Sequence, residues 1–248
     1  MKFQFPLQKA SWIKRYKRFM VDLSLADGEV LTVHNANTGS MKNCYVVGGD
    51  AWYWHSHNEK RKYPHSLELV QTPSGHVACI NTARPNYLVR EAIENGVVSE
   101  LQDYRVLNTE VRYGHEKSRI DILLTGGEQA IYVEVKNTTL LEAMKGDAPN
   151  AEGSFVDGIG YFPDSVSARA SKHLRELMLM VEEGHRGVIF FCVNHSGIKQ
   201  VRPADHIDPL YGQLLREAAH KGVEILAYRS HINEHEIYLK ERIDVILN

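Results

Sequence analysis

Apolar and polar positions alternate through the first third of the chain. From Tyr16 to Leu25 this alternation indicates a strand with Phe19 on its inward face. Asp27-Gly28 follows with the composition of a hairpin turn. Further strands are predicted at Asp50–Ser56, Ser66–Thr72 and His76–Thr82. About five short strands separated by turn residues are typical of a small β-barrel or sandwich, and we expect a barrel of the OB kind.

The periodicity changes to a helical spacing near Asn86, which predicts a helix with Asn86 as N-cap and Gly96 as C′ residue. Strands are predicted next at 106–113, 119–124 and 131–136, then a helix at 167–183, a strand at 187–193, a helix at 210–221 and a strand at 223–229. This αβββαβαβ order is typical of a mixed sheet flanked by helices. The sequence therefore predicts an all-β OB-like domain over residues 1–84 and an α/β (α+β) mixed-sheet domain over residues 85–248.

The hairpin Ser118–Leu140 carries polar residues in an otherwise apolar setting. A two-residue turn at Gly126-Gly127 would pair Asp121 with Tyr132. Alternation then predicts a core face of Ile120, Ile122, Leu124, Ile131, Val133 and Val135. The opposite face would gather Arg119, Asp121, Tyr132, Glu134 and Lys136. Asp121 and Glu134 would then lie roughly 7–8 Å apart between Cα atoms, so both carboxylates can reach one cation.

This polar patch suits metal-assisted cleavage of a phosphodiester. Mg²⁺ or Mn²⁺ accepts one or two carboxylates together with waters and substrate phosphate oxygens, a role predicted for Asp121 and Glu134. Lys136 would orient the attacking water or stabilise the transition state, and Glu110 is a candidate third ligand. An ExK pair is also commonplace on solvated sheet faces, so the same residues fit a purely structural interpretation.

Charge is distributed unevenly along the chain. The net charge is −2, but residues 1–90 carry +6 and residues 91–248 carry −8. The basic part contains two clusters, and a third candidate contact lies on a predicted helix. The predicted nucleic-acid-binding residues are Lys14, Arg15, Lys17, Arg18, Lys60, Arg61, Lys62, Lys172 and His173. Such clusters suit phosphate contacts, although a solvated cationic face gives the same pattern.

Several classes of protein are disfavoured. The N-terminal residues lack the apolar run of a signal peptide and no later run approaches a membrane span, so we expect a cytoplasmic protein with no membrane partner. The three cysteines Cys44, Cys79 and Cys192 are far apart and form no CxxC, which predicts reduced core residues. No G-x-S-x-G motif supports serine hydrolysis.

The order Asp121, then Glu134-x-Lys136, resembles the PD-(D/E)XK nuclease superfamily. More specific blocks resemble the sugar fermentation stimulation protein (SfsA) family: NTGSM at 37–41, YGHEKSRIDILL at 113–124, YVEVKNTTL at 132–140, YFPD at 161–164 and SKHLREL at 171–177. The resemblance implies an N-terminal OB-like domain, a nuclease-like C-terminal domain and DNA binding with little sequence preference. It also implies an influence on sugar use, maltose in particular. The segment at residues 143–160 is longer than the corresponding segment expected for the family.

Two functions are compatible with these features. In the first, the protein is a Mg²⁺- or Mn²⁺-dependent phosphodiesterase that binds DNA, with RNA as an alternative substrate, through Asp121, Glu134 and Lys136. In the second, it is a regulator of sugar metabolism whose nuclease-like fold only grips DNA. Only the first predicts that Asp121→Ala abolishes a cleavage activity while sparing binding.

Overall fold

The computed structural model describes residues 1–142 and 158–248, so most of the long segment expected at 143–160 lies outside the described residues. The helices are α1 (Arg84–Glu94), α2 (Ala168–Glu182) and α3 (Pro209–His220), with a short 3-10 helix at Ser99–Leu101. The strands are β1 (Gln8–Tyr16), β2 (Met20–Ser24), β3 (Val30–His34), β4 (Asp50–His55), β5 (His65–Gln71), β6 (Val77–Cys79), β7 (Val106–Tyr113), β8 (Ser118–Thr125), β9 (Ile131–Thr138), β10 (Leu140–Leu141), β11 (Gly158–Phe162), β12 (Arg186–Val193), β13 (Ile198–Pro203), β14 (Glu224–Ile232), β15 (Ile237–Arg242) and β16 (Asp244–Val245).

The first six strands form the predicted barrel. Their order is β3-β2-β1-β4-β5-β6, and an additional pairing of β3 with β5 closes it around its own apolar cluster. The expected OB-like domain is therefore confirmed. The predicted strand from Tyr16 to Leu25 is wrong at its start, because Lys17 and Arg18 have φ of 49° and 64° and form a tight turn between β1 and β2. Phe19, expected to face inward, is 41% exposed.

The second domain is the predicted mixed sheet with helices on both faces. Its order is β15-β14-β12-β9-β8-β7, in which β9, β12 and β14 run parallel and the outer strands are antiparallel to their neighbours. Side chains of α1 belong to the apolar cluster on one face, and those of α2 and α3 belong to the cluster on the other. A second sheet, β10-β11-β13-β16, was not predicted, because its strands are short or follow no clear alternation.

The register of the β8–β9 hairpin differs from the prediction by two residues. Ile122 pairs with Val133 and Leu123 with Tyr132, because the connection spans residues 126–130 and not a two-residue turn. A shift of two preserves which residues share a face, whereas a shift of one would have reversed it. One detail of the predicted core face is wrong: Ile120 joins the cluster under α2, while Ile122 joins the cluster under α1.

Helix α1 starts three residues earlier than predicted. Pro85 occupies its first turn, where the missing N–H costs nothing, and the N-cap is Ala83. Asn86 is therefore inside the helix, and its side chain is available for another contact. The predicted C′ residue is confirmed, since Asn95 is the C-cap and Gly96 follows it with φ of 75°.

The barrel is fastened to the second domain by backbone contacts. Cys79 N donates to Asn194 O at 2.9 Å, and Ser196 N donates to Val77 O at 2.9 Å. Gly197 is required here, because a Cβ at this position would collide with the His76 ring. No helix within residues 1–142 and 158–248 is long and apolar enough to cross a membrane.

Candidate active site

Asp121 lies where strands β8 and β9 separate. The pairing of the two strands runs only as far as Ile122 with Val133. Beyond that point the Asp121 carboxylate accepts the hydrogen bond that a carbonyl of the neighbouring strand would otherwise take, since its Oδ2 accepts from Val135 N at 2.7 Å. Its Oδ1 accepts from Asn86 Nδ2 at 2.8 Å. Burial and the nearby charge of Glu134 raise the pKa of Asp121 to about 6. The strand geometry and α1 thus hold this carboxylate from two sides.

Glu134 is a buried carboxylate with two different oxygens. Its side chain is 2% exposed, and its Oε1 accepts from Lys136 Nζ at 2.7 Å and contacts His173 Nδ1. Its Oε2 is buried and has no hydrogen-bond partner among the described residues. Burial raises the pKa of Glu134, but the hydrogen bond with His173 and the charge of Lys136 outweigh it and bring that pKa below its ordinary value. Glu134 therefore stays ionised with one oxygen unused.

Two tyrosines border the same place. The hydroxyls of Tyr113, at the end of β7, and Tyr211, in α3, are buried and have no hydrogen-bond partner within the described chain. Burial, followed by the charge of Glu134, raises the pKa of both. No sequence pattern indicated them, because about a hundred residues separate two ordinary core tyrosines that only the fold brings together.

Glu110 is less well placed than the other predicted ligands. The register of β7 and β8 puts it opposite Asp121, but its φ is 57° and its side chain is exposed. It makes no hydrogen bond or ion pair with any described residue. Across the parts of the chain that the structure describes, no group of three or more His, Cys, Asp or Glu is arranged to hold a metal ion. The role of Glu110 as a third ligand stays a prediction.

Lys172 and His173, predicted together as phosphate contacts, have different surroundings. Lys172 is partly exposed and its Nζ donates to Glu116 O at 2.5 Å. His173 is 4% exposed and contacts Glu134, so α2 places it inside the site. Asn86 is a further residue whose place in the site was not predicted, since its position before an apolar helical pattern was interpreted as a cap.

Comparison with known proteins shows which family this chain belongs to. A model described as sugar fermentation stimulation protein RE domain matches residues 83–236, and a model described as SfsA N-terminal OB domain matches residues 13–80. The chain belongs to the sugar fermentation stimulation protein family. A homolog from Saccharophagus degradans is 54% identical over 228 residues, covering 92% of each chain. A homolog from Teredinibacter turnerae is 52% identical and covers 100% of both chains.

A solved structure extends the comparison to a distant relative. The structure of Pyrococcus furiosus SfsA in complex with Ca²⁺ superposes with a TM-score of 0.83 at 25% identity, and it covers 99% of this chain and 98% of that one. The predicted family is therefore confirmed, together with an architecture of OB domain and mixed-sheet domain.

The first basic cluster of this family member lies around the β1–β2 turn. Lys17 and Arg18 are exposed in the turn itself, and Lys14 is exposed beside Asp22, with its Nζ 3.6 Å from Oδ2. Arg15 is different, because its guanidinium donates to the backbone carbonyls of Arg18, Asn37, Gly39 and Ser40. Four of its five N–H groups are used in this way, so Arg15 mainly holds the NTGSM loop in place.

The second basic cluster lies at the same end of the barrel. Lys60 and Lys62 are exposed in the loop before β5, and Arg61 donates to Ser66 Oγ at 2.9 Å. Ser66 pairs with His34 at the point where the barrel closes, and His34 pairs with Met20 just after the β1–β2 turn. The fold thus unites two clusters that are more than 40 residues apart in sequence.

Proposed function

We propose that this protein is a divalent-metal-dependent phosphodiesterase that binds DNA with little sequence preference. The observation that carries the proposal is the second oxygen of Glu134, which is buried and unused beside Asp121 and Lys136. Leaving a buried carboxylate oxygen without a partner costs free energy, and such a cost is typical of a group awaiting a ligand.

The residues present fit Mg²⁺ or Mn²⁺. Asp121 and Glu134 supply two carboxylates, which is the number that Mg²⁺ commonly takes from a protein when substrate phosphate and water complete its coordination. The absence of a third protein ligand in the described chain is compatible with this chemistry. The relative from Pyrococcus furiosus was solved with Ca²⁺, another hard cation that prefers oxygen ligands.

A metal bound here would neutralise charge on the phosphate and make a coordinated water more acidic. The protein's own residues have separate tasks. Val135 N and Asn86 fix the direction of the Asp121 carboxylate. Lys136 lies 2.7 Å from Glu134 Oε1, where its ammonium would stabilise negative charge developing on the phosphate. His173, on the same oxygen, keeps Glu134 ionised and oriented.

Charge at the end of the barrel supports DNA as the substrate. Lys14, Lys17, Arg18, Lys60 and Lys62 are exposed there. Most of these cations come from turns and loops, where the backbone of a nucleic acid can approach them. Contacts of this kind would bind phosphate without reading sequence, so binding would weaken steeply with added salt.

A second candidate function is a DNA-binding regulator without catalysis. It is favoured by two observations: Lys136 and His173 both contact Glu134 Oε1, and no three-ligand cluster exists among the described residues. The family's name links its members to sugar use, which a regulator would explain directly.

Calorimetric titration of Mg²⁺ and Mn²⁺ in the presence of a noncleavable DNA oligonucleotide separates the two functions. We expect binding to wild type and to Glu128→Ala/Glu234→Ala, a control that removes two exposed carboxylates of the same domain. Asp121→Ala/Glu134→Ala should lose metal binding. Absence of metal binding in wild type would contradict the enzyme and favour the regulator.

A further inference from the structure

Two arginines face each other across the β7–β8 hairpin. Arg112 and Arg119 are direct cross-strand partners, and both side chains are exposed. Like charges placed directly opposite each other in a sheet are destabilising. No carboxylate offsets this repulsion, since neither arginine forms an ion pair or hydrogen bond with any residue in 1–142 or 158–248. The pair has the geometry of a site that an anion would complete.

A cleft lies at this end of the hairpin. It has a volume of about 710 Å³ and is lined by Arg112, Tyr113, Gly114, Lys117 and Arg119. Three of these five residues are cations, and none is acidic. Lys117 has no ion-pair partner in the described chain either, and its φ of 55° places it in the turn between the strands. The nearest acidic residue along β7 is Glu110, two positions before Arg112.

The turn between β7 and β8, which carries Lys117, is held in place by a buried residue of α2. Glu176 of α2 is fully buried, and its carboxylate accepts from His115 N at 2.9 Å and from Glu116 N at 2.5 Å. Gly114 has φ of 70°, and a Cβ at this position would collide with the Glu176 carboxylate. Lys172 Nζ donates to Glu116 O at 2.5 Å. Because a buried carboxylate accepts hydrogen bonds from two backbone amides of this surface turn, the turn is held in one defined conformation.

The cleft lies close to Asp121 of the candidate active site along β8. Arg119 precedes Asp121 by two residues on β8, and both are on the side of the strand away from the buried Ile120. Two residues along a strand span about 7 Å. Tyr113 lines the cleft, and its hydroxyl is close enough to Glu134 to sense its charge. An anion between the arginines would therefore lie about two phosphates from Asp121, because phosphates on one DNA strand follow each other at about 3.4 Å along the helix axis.

A simpler explanation is that charged residues protect an edge strand from pairing with another chain. Strand β7 is such an edge. That role is served by isolated charges, however, and does not require two arginines in direct opposition over an anchored turn. Arginine also differs from lysine in presenting a planar fork of donors that matches phosphate oxygens in pairs.

We propose that Arg112, Arg119 and Lys117 form a phosphate-binding subsite that holds the nucleic-acid backbone next to the bond to be cleaved. This inference rests on the proposed function and deepens it. The subsite adds a third point of attachment, in the second domain, to the two basic clusters of the barrel. It would position one strand relative to Asp121 and Glu134 without reading its sequence.

The test is binding of a fluorescent DNA oligonucleotide by anisotropy, in chelator, over a series of salt concentrations. We expect Arg112→Ala/Arg119→Ala to weaken binding at least tenfold and to reduce the salt slope by about 1.5, as two lost phosphate contacts predict. Lys199→Ala/Lys240→Ala is the matched control, because it removes the same charge from exposed positions remote from the hairpin. This control should change the slope little.

Folding of the arginine variant is checked by its melting temperature, which should be equal to or above that of wild type because a repulsion has been removed. Arg112→Gln/Arg119→Gln, which keeps polar side chains, should weaken binding to a similar extent. Equal slopes in the arginine and lysine variants would overturn the subsite while leaving the proposed function intact. Lack of nucleic-acid binding by wild type would overturn both.

Discussion

Glu68 and Glu134 are the same residue type in equally buried positions, yet their surroundings differ. Glu68, on β5, is fully buried, and both of its oxygens are used. Its Oε1 accepts from Arg84 Nε at 2.5 Å, and its Oε2 accepts from Trp54 Nε1 and Asn81 Nδ2, each at 2.8 Å. Glu134 has two partners on one oxygen and none on the other within the described residues.

Under the proposed function, this difference separates a structural carboxylate from a metal-binding one. Burying a carboxylate costs several kcal/mol unless charge and hydrogen bonds offset the loss of water. Around Glu68 the offset is complete, and its partners join the barrel to α1 at the domain junction. Around Glu134 the charge is offset by Lys136 and His173, but one oxygen remains without a hydrogen-bond partner among the described residues, a position that a ligand would fill. Substitutions of the two residues should therefore have opposite consequences.

The largest expected effect is on cleavage. Glu134→Gln should lower the rate of metal-dependent DNA cleavage at least 1000-fold, equivalent to about 4 kcal/mol, because it removes a charged ligand and the partner of Lys136. Glu68→Gln should lower the rate only in proportion to the protein that has unfolded. Initial rates with purified protein, normalised to the folded fraction measured by circular dichroism, provide the comparison. Equal losses in both variants would show that the distinction between the two carboxylates is wrong.

The next largest effect is on stability, and here the order of the two residues reverses. Glu68→Gln should lower the free energy of unfolding by about 3 kcal/mol, since Arg84 is left with a neutral partner at a partly buried position. Glu134→Gln should lower it by less, about 1–2 kcal/mol: Lys136 loses its charged partner, but the amide NH2 can occupy the position of the unused Oε2 without displacing a donor. Urea denaturation in chelator measures both values. A Glu134→Gln variant as unstable as Glu68→Gln would contradict the comparison.

The ionisation of Asp121 provides a third test. Its pKa of about 6 lies above the ordinary value of 3.8, so folding favours the protonated carboxyl. The stabilising contribution of that proton is present below pH 4 and is lost as the pH rises through 6. Asp121→Asn can accept from Val135 N through its amide oxygen and donate to Asn86 Oδ1 once the Asn86 amide turns over. It should therefore become more stable than wild type by roughly 2–3 kcal/mol between pH 4 and 8.

Urea denaturation at several pH values in chelator measures this difference. Chelator is essential, since a bound metal would stabilise the ionised form of wild type and mask the effect. Curves for wild type and Asp121→Asn that run parallel from pH 4 to 8 would refute the predicted cost of the ionised carboxylate.

The sequence predicted the residues of the site better than their connections. The period-two pattern indicated that Glu134 and Lys136 share one side of β9, and the even register error left this unchanged. It did not indicate that Ile120 joins the cluster under α2, which leaves Asp121 in contact with Asn86 of α1. The unexpected five-residue connection at 126–130 was not visible, since Gly126-Gly127 resembles a tight turn. Tyr113, Tyr211 and the unused oxygen of Glu134 depend on packing between distant segments, which no local pattern contains.

Asn86 shows the same limit, because a local pattern predicted a role for it that the structure does not have. Its type and position favoured an N-cap, but Pro85 moved the helix start upstream and left the amide to bind Asp121. The smallest predicted effect concerns this contact. Asn86→Ala should lower kcat for cleavage about tenfold with little change in KM, and it should cost only about 1 kcal/mol of stability, since one hydrogen bond to a held carboxylate is lost.

Asn86 acts through Asp121, so the decisive measurement is one that a merely structural role would not alter. The amide lowers the pKa of Asp121 by donating to it, and Asn86→Ala should therefore raise that pKa further and shift the acidic limb of the cleavage profile to higher pH. Asn95→Ala, at the exposed C-terminal end of the same helix, should leave the profile unchanged. A profile unchanged in both variants would reduce Asn86 to a packing residue and leave Val135 N as the group that aims the carboxylate.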